Sequence, residues 1–155
     1  MNCERHRKSV LWCLSLNFLI MIPESTKPTN FFKFEGLRIY HKSVDFTNAI
    51  LSLSNTAQTA AQKIIIDQFL NEAGHISANI IEGAALSKAE FTECLQKAKQ
   101  NIGKCVMICT LAYKQRLIDE TQESDIRNEL MELTKMIGAL IISFQKHDSV
   151  NNPEV

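Results

Sequence analysis

Apolar residues recur every three or four positions along four stretches of the chain, a spacing typical of amphipathic α-helices. The first stretch carries two neighbouring rows, formed by Leu37, Tyr40, Val44, Thr47 and Leu51 and by Ile39, Ser43, Phe46, Ile50 and Leu53. The next two carry one row each, formed by Ile66, Phe69, Ala73, Ile76, Ile80 and Gly83 and by Phe91, Leu95, Ala98, Ile102, Cys105, Cys109 and Ala112. The last row contains Ile126, Leu130, Leu133, Ile137, Ile141 and Phe144. The pattern predicts an all-α protein with four helices.

Helix-start and helix-stop residues separate these stretches. Ser87 with Glu90 has the spacing of a capping box, and a second acceptor, Asp119, starts the last stretch. Gly83 ends the second stretch, and we expect it to stop that helix with a positive φ. Because the breaks are short, consecutive helices should run antiparallel. The rows are heptad-like, so the helices should pack as an up-down-up-down antiparallel four-helix bundle.

The double row on the first helix is wider than one bundle core usually buries. A surplus apolar face on a small protein typically contacts another molecule. We therefore expect part of this face to lie against another copy of the chain, in a homo-oligomer.

Length and composition fit one globular domain. With 155 residues, 5 Gly, 3 Pro and 45% apolar residues, the chain can bury a core without a disulfide or a metal. We assign residues 31–148 to the bundle, residues 1–30 to a leader and residues 149–155 to a disordered tail. The 5 cysteines are scattered and odd in number, which fits a reducing cytoplasm better than a disulfide framework.

The leader resembles a targeting segment without matching one. A basic cluster at residues 5–8 precedes an apolar run at residues 10–22, but no small-residue cleavage site follows. The run is also shorter than the roughly 20 residues that span a bilayer core, so no membrane partner is predicted. We expect residues 1–20 to be an upstream extension, with translation starting at Met21. An export signal and an additional helix remain the alternatives.

A polar stripe on the second helix contains Asn79 and Glu82, with His75 and Glu72 at helical spacing. These groups could bind a ligand or exchange protons. They could also bond to a neighbouring helix and define the junction between the second and third helices. We favour the structural interpretation because no nucleophile, metal-ligand spacing or phosphate loop accompanies them. The sequence thus predicts no catalytic residue, no small-molecule substrate and no cofactor.

Cys105 and Cys109 lie one helical turn apart and could supply two metal ligands. No second pair has a matching spacing, and both residues belong to the apolar row of the third helix. We therefore predict buried free thiols and no metal site.

The charge balance leaves only a local patch for binding an anionic partner. Lysine plus arginine and aspartate plus glutamate both number 17, and without residues 1–20 the balance is 14 minus 16, or −2. Such a chain lacks the overall field that attracts nucleic acid. The best basic cluster lies on the third helix, with Arg38 and Lys42 as candidate neighbours on the first. It consists of Lys88, Lys97, Lys99 and Lys104. Glu93, four residues before Lys97, makes a solvated face with an ion pair the simpler interpretation.

Several segments together resemble one bacterial protein family. They are residues 34–46, Gln68, residues 76–83, residues 87–91, Leu95 and Ala98. In this order and spacing they are similar to the four-helix bundle proteins encoded in 23S rRNA intervening sequences. Asn79, Glu82, Gly83, Ser87 and Glu90 are the family-signature residues, in a structural role at the helix junction.

The resemblance implies a non-secreted bacterial protein that assembles as a ring-like homopentamer and has no established enzymatic activity. Proteins of similar fold include the accessory variability determinant of diversity-generating retroelements, a basic pentamer that binds nucleic acid and a reverse transcriptase. This chain departs from the family pattern, because Phe69 and Leu70 follow Gln68 where arginines are usual and Ser77 replaces a common proline. Loss of the basic pair weakens the nucleic-acid interpretation.

Two functional hypotheses follow. The first is a non-enzymatic, homo-oligomeric scaffold or interaction protein. The alternative is an oligomer that binds RNA or DNA through several copies of the lysine patch, each contributing modest affinity.

Overall fold

A computed structural model describes residues 32–151 of the chain, with side chains to residue 146. Within this range there are four α-helices and no strand, so the predicted all-α fold is confirmed. The helices are α1 (Arg38–Ser52), α2 (Ala60–Ala84), α3 (Lys88–Lys114) and α4 (Glu120–Asn151). Short 3-10 turns, Lys33–Gly36 and Leu53–Thr56, flank α1. The predicted leader, residues 1–30, lies outside the described range, and α4 extends into the segment assigned to the tail.

Side-chain caps start three of the helices. The Ser87 hydroxyl accepts from the Glu90 backbone and the Glu90 carboxylate accepts from the Ser87 backbone, which completes the predicted capping box of α3. Asp119 and Gln122 exchange the same pair of bonds at the start of α4. Thr59 caps α2 in the same way, a start that the apolar pattern alone did not locate.

The core contains the predicted rows of all four helices. Every residue of the α2 and α3 rows is buried, and the α4 row is buried or packs against the core. On α1 the row of Ile39, Ser43, Phe46 and Ile50 is buried, and Tyr40 of the other row packs against the core at one end. The rest of that other row lies on the outer side of the helix, where Val44 and Leu51 are exposed.

Contacts at both ends of the helices define how neighbours align. The start of α2 lies beside the end of α3, where the Gln62 side chain donates to the backbone oxygen of Gln115 at 3.2 Å. The end of α2 lies beside the start of α3, where Gly83 meets Phe91. Between α3 and α4, Arg127 Nη2 donates to Thr110 Oγ1 at 2.8 Å.

Gly83 does not stop a helix by positive φ, so that prediction is wrong. The residue is buried inside α2, which continues to Ala84, and its φ is not positive. A Cβ at this position would overlap the Phe91 ring and lie 3.0 Å from the Cβ of Cys94. Glycine is therefore required by the close approach of α3, rather than by backbone conformation.

The left-handed residue of this fold is Arg116, just after α3. It has a φ of 54° and is the one non-glycine residue with positive φ in the described part of the chain. The Leu117 amide donates to the Ala112 carbonyl at 3.0 Å and the Arg116 amide to the Tyr113 carbonyl at 2.9 Å, so the turn satisfies backbone carbonyls at the helix end. Leu117 is buried, which anchors this ending.

Arg116→Gly should raise the free energy of unfolding by about 0.5–1 kcal/mol, because the left-handed conformation is unfavourable for residues with a Cβ. The midpoint of urea denaturation would measure the change. Gln115→Gly is the matched control, since Gln115 has a φ of −85° and glycine there should only add chain entropy to the unfolded state. Equal shifts of the two variants in the same direction would contradict this account.

Candidate functional site

A polar cluster interrupts the apolar contact between α2 and α3. Asn101 of α3 is only 7% exposed, and its amide nitrogen donates to Glu72 Oε2 at 2.6 Å. The Asn101 amide oxygen accepts from Asn79 Nδ2 at 3.3 Å. Asn79 Nδ2 also donates to the His75 carbonyl oxygen at 2.7 Å. Asn79 therefore joins two helices, at a position well inside α3 and not at its start.

Lys104 completes the cluster by an ion pair with Glu72, at 3.2 Å and 3.3 Å from the two carboxylate oxygens. Partial burial acts to raise the pKa of Glu72, but the bonds from Asn101 and Lys104 outweigh it and hold this pKa below its ordinary value. A carboxylate with a lowered pKa is a weak base at neutral pH, so the cluster is not tuned for proton transfer.

The groove over this cluster has a volume of about 270 Å³. It is lined by Gln68, Asn71, Glu72, Lys104, Met107 and Ile108. No serine, cysteine or histidine side chain lines it, and its Lys104 and Glu72 are paired with each other. It is a shallow surface feature above a satisfied polar contact.

The predicted polar stripe does not act as one unit. The Glu82 side chain is exposed, and within the described residues only its backbone oxygen accepts a bond, from Ala85. His75 joins the cluster through its backbone oxygen, which accepts from Asn79, and through a minor electrostatic effect on Glu72. Asn101, the residue at the centre of the cluster, was not predicted from the sequence. Its signal was present, because Asn101 lies three residues after Ala98 and four before Cys105, inside the apolar row.

The structure divides the predicted lysine cluster between two sides of α3. Lys99 follows Lys88 by about three helical turns and lies on the same side, whereas Lys97 follows Lys88 by about two and a half turns and lies on the opposite side. Lys104 is about two turns beyond Lys97, on the α2 side, where it is paired with Glu72. The four lysines therefore do not form one patch.

The neighbouring charges also differ from the expectation. Lys42 is paired with Glu132 of α4 at 2.9 Å, so it is engaged within the bundle. Lys97 and Glu93 form no ion pair in the described part of the chain, although their spacing permits one.

The described cysteines are buried free thiols, as predicted for Cys105 and Cys109. Burial raises the pKa of Cys105 to about 12 and that of Cys109 to about 11, so both stay protonated at neutral pH. No group of three potential metal ligands occurs within residues 32–146. Among the described helices, none combines the length and hydropathy needed to cross a bilayer.

The fold and these surfaces define an all-α helical bundle whose best-formed polar cluster joins two of its own helices. A family model described as 23S rRNA-intervening sequence protein matches residues 35–139. The chain belongs to this family, as its resemblance predicted.

A solved structure from Bacteroides thetaiotaomicron has a similar fold. It is a protein of unknown function from the S23 ribosomal protein family, 24% identical in sequence, with a TM-score of 0.61. The match covers 66% of this chain and 94% of that chain. No curated protein matches this chain. Family and fold are thus established, whereas the molecular role has to be argued from the surfaces.

Proposed function

We propose that the protein is a non-enzymatic scaffold that assembles from several copies of itself. The observation that carries the proposal is the outer row of α1, formed by Val44, Thr47 and Leu51. Val44 is 41% exposed and Leu51 is 53% exposed, although the core is complete without them. An apolar row kept outside a finished core is typical of a surface that contacts another protein.

The edge of α2 beside this row is also apolar. Ser77 Oγ donates to Ser43 Oγ at 2.9 Å, which places the Ser77 edge of α2 against α1. Leu70 lies seven residues before Ser77, Gly74 three residues before it and Ile81 four residues after it. At these spacings the three residues share the Ser77 edge of α2. A Cβ on Gly74 would meet nothing within 4 Å, so the backbone of α2 is accessible here.

The outer row and this α2 edge form a continuous face, which we name the α1–α2 face. The 15 residues of α1 extend over about 22 Å, long enough for a helix of another molecule to lie along it. A second copy of this chain is the partner that the proposal names, because the family resemblance implies self-assembly. Five copies in a ring are the expected assembly.

The remaining parts of the proposal rest on the same features. The start of α2 lies beside the end of α3, and the end of α3 lies beside the start of α4. These contacts support an up-down-up-down antiparallel arrangement. The free buried thiols support a reducing, cytoplasmic location in a bacterium. The satisfied Glu72 cluster supports a non-enzymatic role, since its groups bond to one another.

Light scattering at micromolar concentrations tests the assembly. We expect the wild type to have the mass of an oligomer and the Val44→Asp, Leu51→Asp double variant to have the mass of one chain, because the interface would bury two carboxylates. Ile142→Asp is the matched control, since Ile142 of α4 is 51% exposed and lies outside the α1–α2 face. A monomeric wild type, or equal dissociation of variant and control, would refute the proposal.

A further inference from the structure

Lysines of α3 and α4 lie level with one another across the groove between these helices. The rings of Phe91 and Phe144 are 5.4 Å apart, which sets the alignment at one end, and the bond between Arg127 and Thr110 sets it at the other. Lys88 lies three residues before Phe91 and Lys146 two residues after Phe144. Those two lysines are therefore at the same height along the bundle.

The same alignment pairs two further lysines. Lys99 lies eight residues after Phe91, and Lys135 lies nine residues before Phe144. Both pairs are exposed. An eleven-residue spacing separates Lys88 from Lys99 and Lys135 from Lys146, and eleven residues are close to three complete turns.

Helical phase places the two α3 lysines along the groove. Thr110 is eleven residues after Lys99, so Lys88, Lys99 and Thr110 share one edge of α3. That edge borders α4, because Thr110 contacts Arg127. On α4, Lys135 and Lys146 lie eight and nineteen residues after Arg127, about 80–100° further round the helix, and both are exposed. We name the four positions, Lys88, Lys99, Lys135 and Lys146, the α3–α4 lysine face. Along each helix the two lysines are about 16 Å apart, from the helical rise.

Little negative charge accompanies these lysines, apart from Glu132, which lies three residues before Lys135 and interacts with it electrostatically. Residues 94–114 of α3 and residues 133–146 of α4 contain no aspartate or glutamate. Glu90 is bound into the Ser87 cap and Glu123 is paired with Arg127. None of the four lysines is in an ion pair with a described side chain. The chain as a whole has no net charge, so this separation of lysines from carboxylates is a property of this face alone.

Two glycines make the face accessible. Gly103 follows Lys99 by four residues and Gly138 follows Lys135 by three, so each shares the edge of its lysine. A Cβ on either would meet nothing within 4 Å, so packing inside the bundle does not require glycine there. Each costs about 0.5–1 kcal/mol in a helix, and each leaves room on this face for the close approach of a partner.

We propose that the α3–α4 lysine face binds the sugar–phosphate backbone of double-helical nucleic acid. A duplex is a rigid line of phosphates, and lysines held at constant spacing on two packed helices suit a rigid polyanion. The rings nearest in level, Phe91 and Phe144, pack against each other and the core, so they offer no platform for stacking the bases of a single strand. Binding does not depend on the sequence of the duplex, since only phosphates are contacted.

This site differs from the lysine cluster predicted from sequence. It keeps Lys88 and Lys99, replaces Lys97 and Lys104 with Lys135 and Lys146, and uses a different side of α3. It lies apart from the α1–α2 face and so does not depend on the proposed assembly, although several copies would bind one duplex more tightly.

Fluorescence anisotropy with a labelled DNA duplex and an RNA duplex of the same sequence tests the proposal. The Lys99→Gln, Lys135→Gln double variant removes one lysine from each edge. We expect it to bind about tenfold more weakly at low salt and to lower the slope of log K against log salt by about 1.8, or 0.9 for each lost phosphate contact.

Lys33→Gln with Lys97→Gln is the control, because it removes the same charge from other surfaces and should leave the slope unchanged. Circular dichroism and light scattering check that both variants keep the fold and the mass of the wild type. Equal slopes for variant and control would overturn the proposal, as would a wild type that shows no salt-dependent binding to either duplex. Tighter binding to phosphatidylserine vesicles or polyglutamate, lost in the same variant, would also overturn it by assigning the face to another partner.

Discussion

Gly83→Ala is expected to lower the free energy of unfolding by about 1–3 kcal/mol, the usual effect of overpacking a core. The new methyl group would overlap the Phe91 ring, which is itself held against Phe144 of α4 at a ring distance of 5.4 Å. The ring cannot move away without disturbing a third helix. Urea denaturation at one fixed protein concentration would measure the loss.

Gly103→Ala is the control, on α3 and outside the α1–α2 face. A Cβ at Gly103 has open space, so this variant should gain about 0.5–1 kcal/mol from better helix propensity. Phe91→Leu should partly relieve the effect of Gly83→Ala, giving a coupling energy in a double-mutant cycle. If both glycine variants stabilise the protein, the close contact between α2 and α3 does not exist as described.

Asn101→Ala is the second change expected to have a large effect, with a loss of about 1.5–3 kcal/mol at neutral pH. Removing the amide leaves the Glu72 carboxylate without its 2.6 Å donor and Asn79 without an acceptor on α3. The neighbouring Gln100→Ala is the control, because Gln100 is exposed and should change stability by less than about 0.5 kcal/mol. Urea denaturation of the three proteins at pH 7 compares them.

The loss should diminish at acid pH. The folded state lowers the pKa of Glu72 below its ordinary value of 4.5, so the charged carboxylate stabilises the fold above that pH. As the pH falls below 4.5 and through the lowered value, the carboxylate is protonated and this contribution disappears. The difference between wild type and Asn101→Ala should therefore narrow in acid. A difference that stays constant down to pH 3 would show that Glu72 is not the partner that matters.

The helices were predictable because each depends on neighbours along the chain. The α3 row from Phe91 to Ala112 repeats with helical spacing, and the Ser87 cap needs only Glu90 three residues later. The start of α2 at Thr59 was missed because its apolar row begins only at Ile66. Residues 60–64 therefore do not yet show an apolar side and a polar side. Local signals thus located the elements and most of the core.

The surfaces were less predictable, because each joins residues that are distant in sequence. Lysine spacing alone grouped Lys97 with Lys99, yet the two lie on different sides of α3. Glu72 was recognised as part of a polar stripe, but its partners Asn101 and Lys104 are 29 and 32 residues away. The pairing of helices had to be known before these contacts could be named.

By itself, the sequence determined the all-α class, the buried rows, the capping boxes and the family, since all of these are written in short-range spacing. Only the tertiary structure decided why residue 83 is glycine, which row of α1 remains outside the core, and which lysines share a face. The physical reason is that these features arise where two helices meet. A close approach such as that of Gly83 and Phe91 depends on the distance and alignment between helices, and local periodicity carries no information about either.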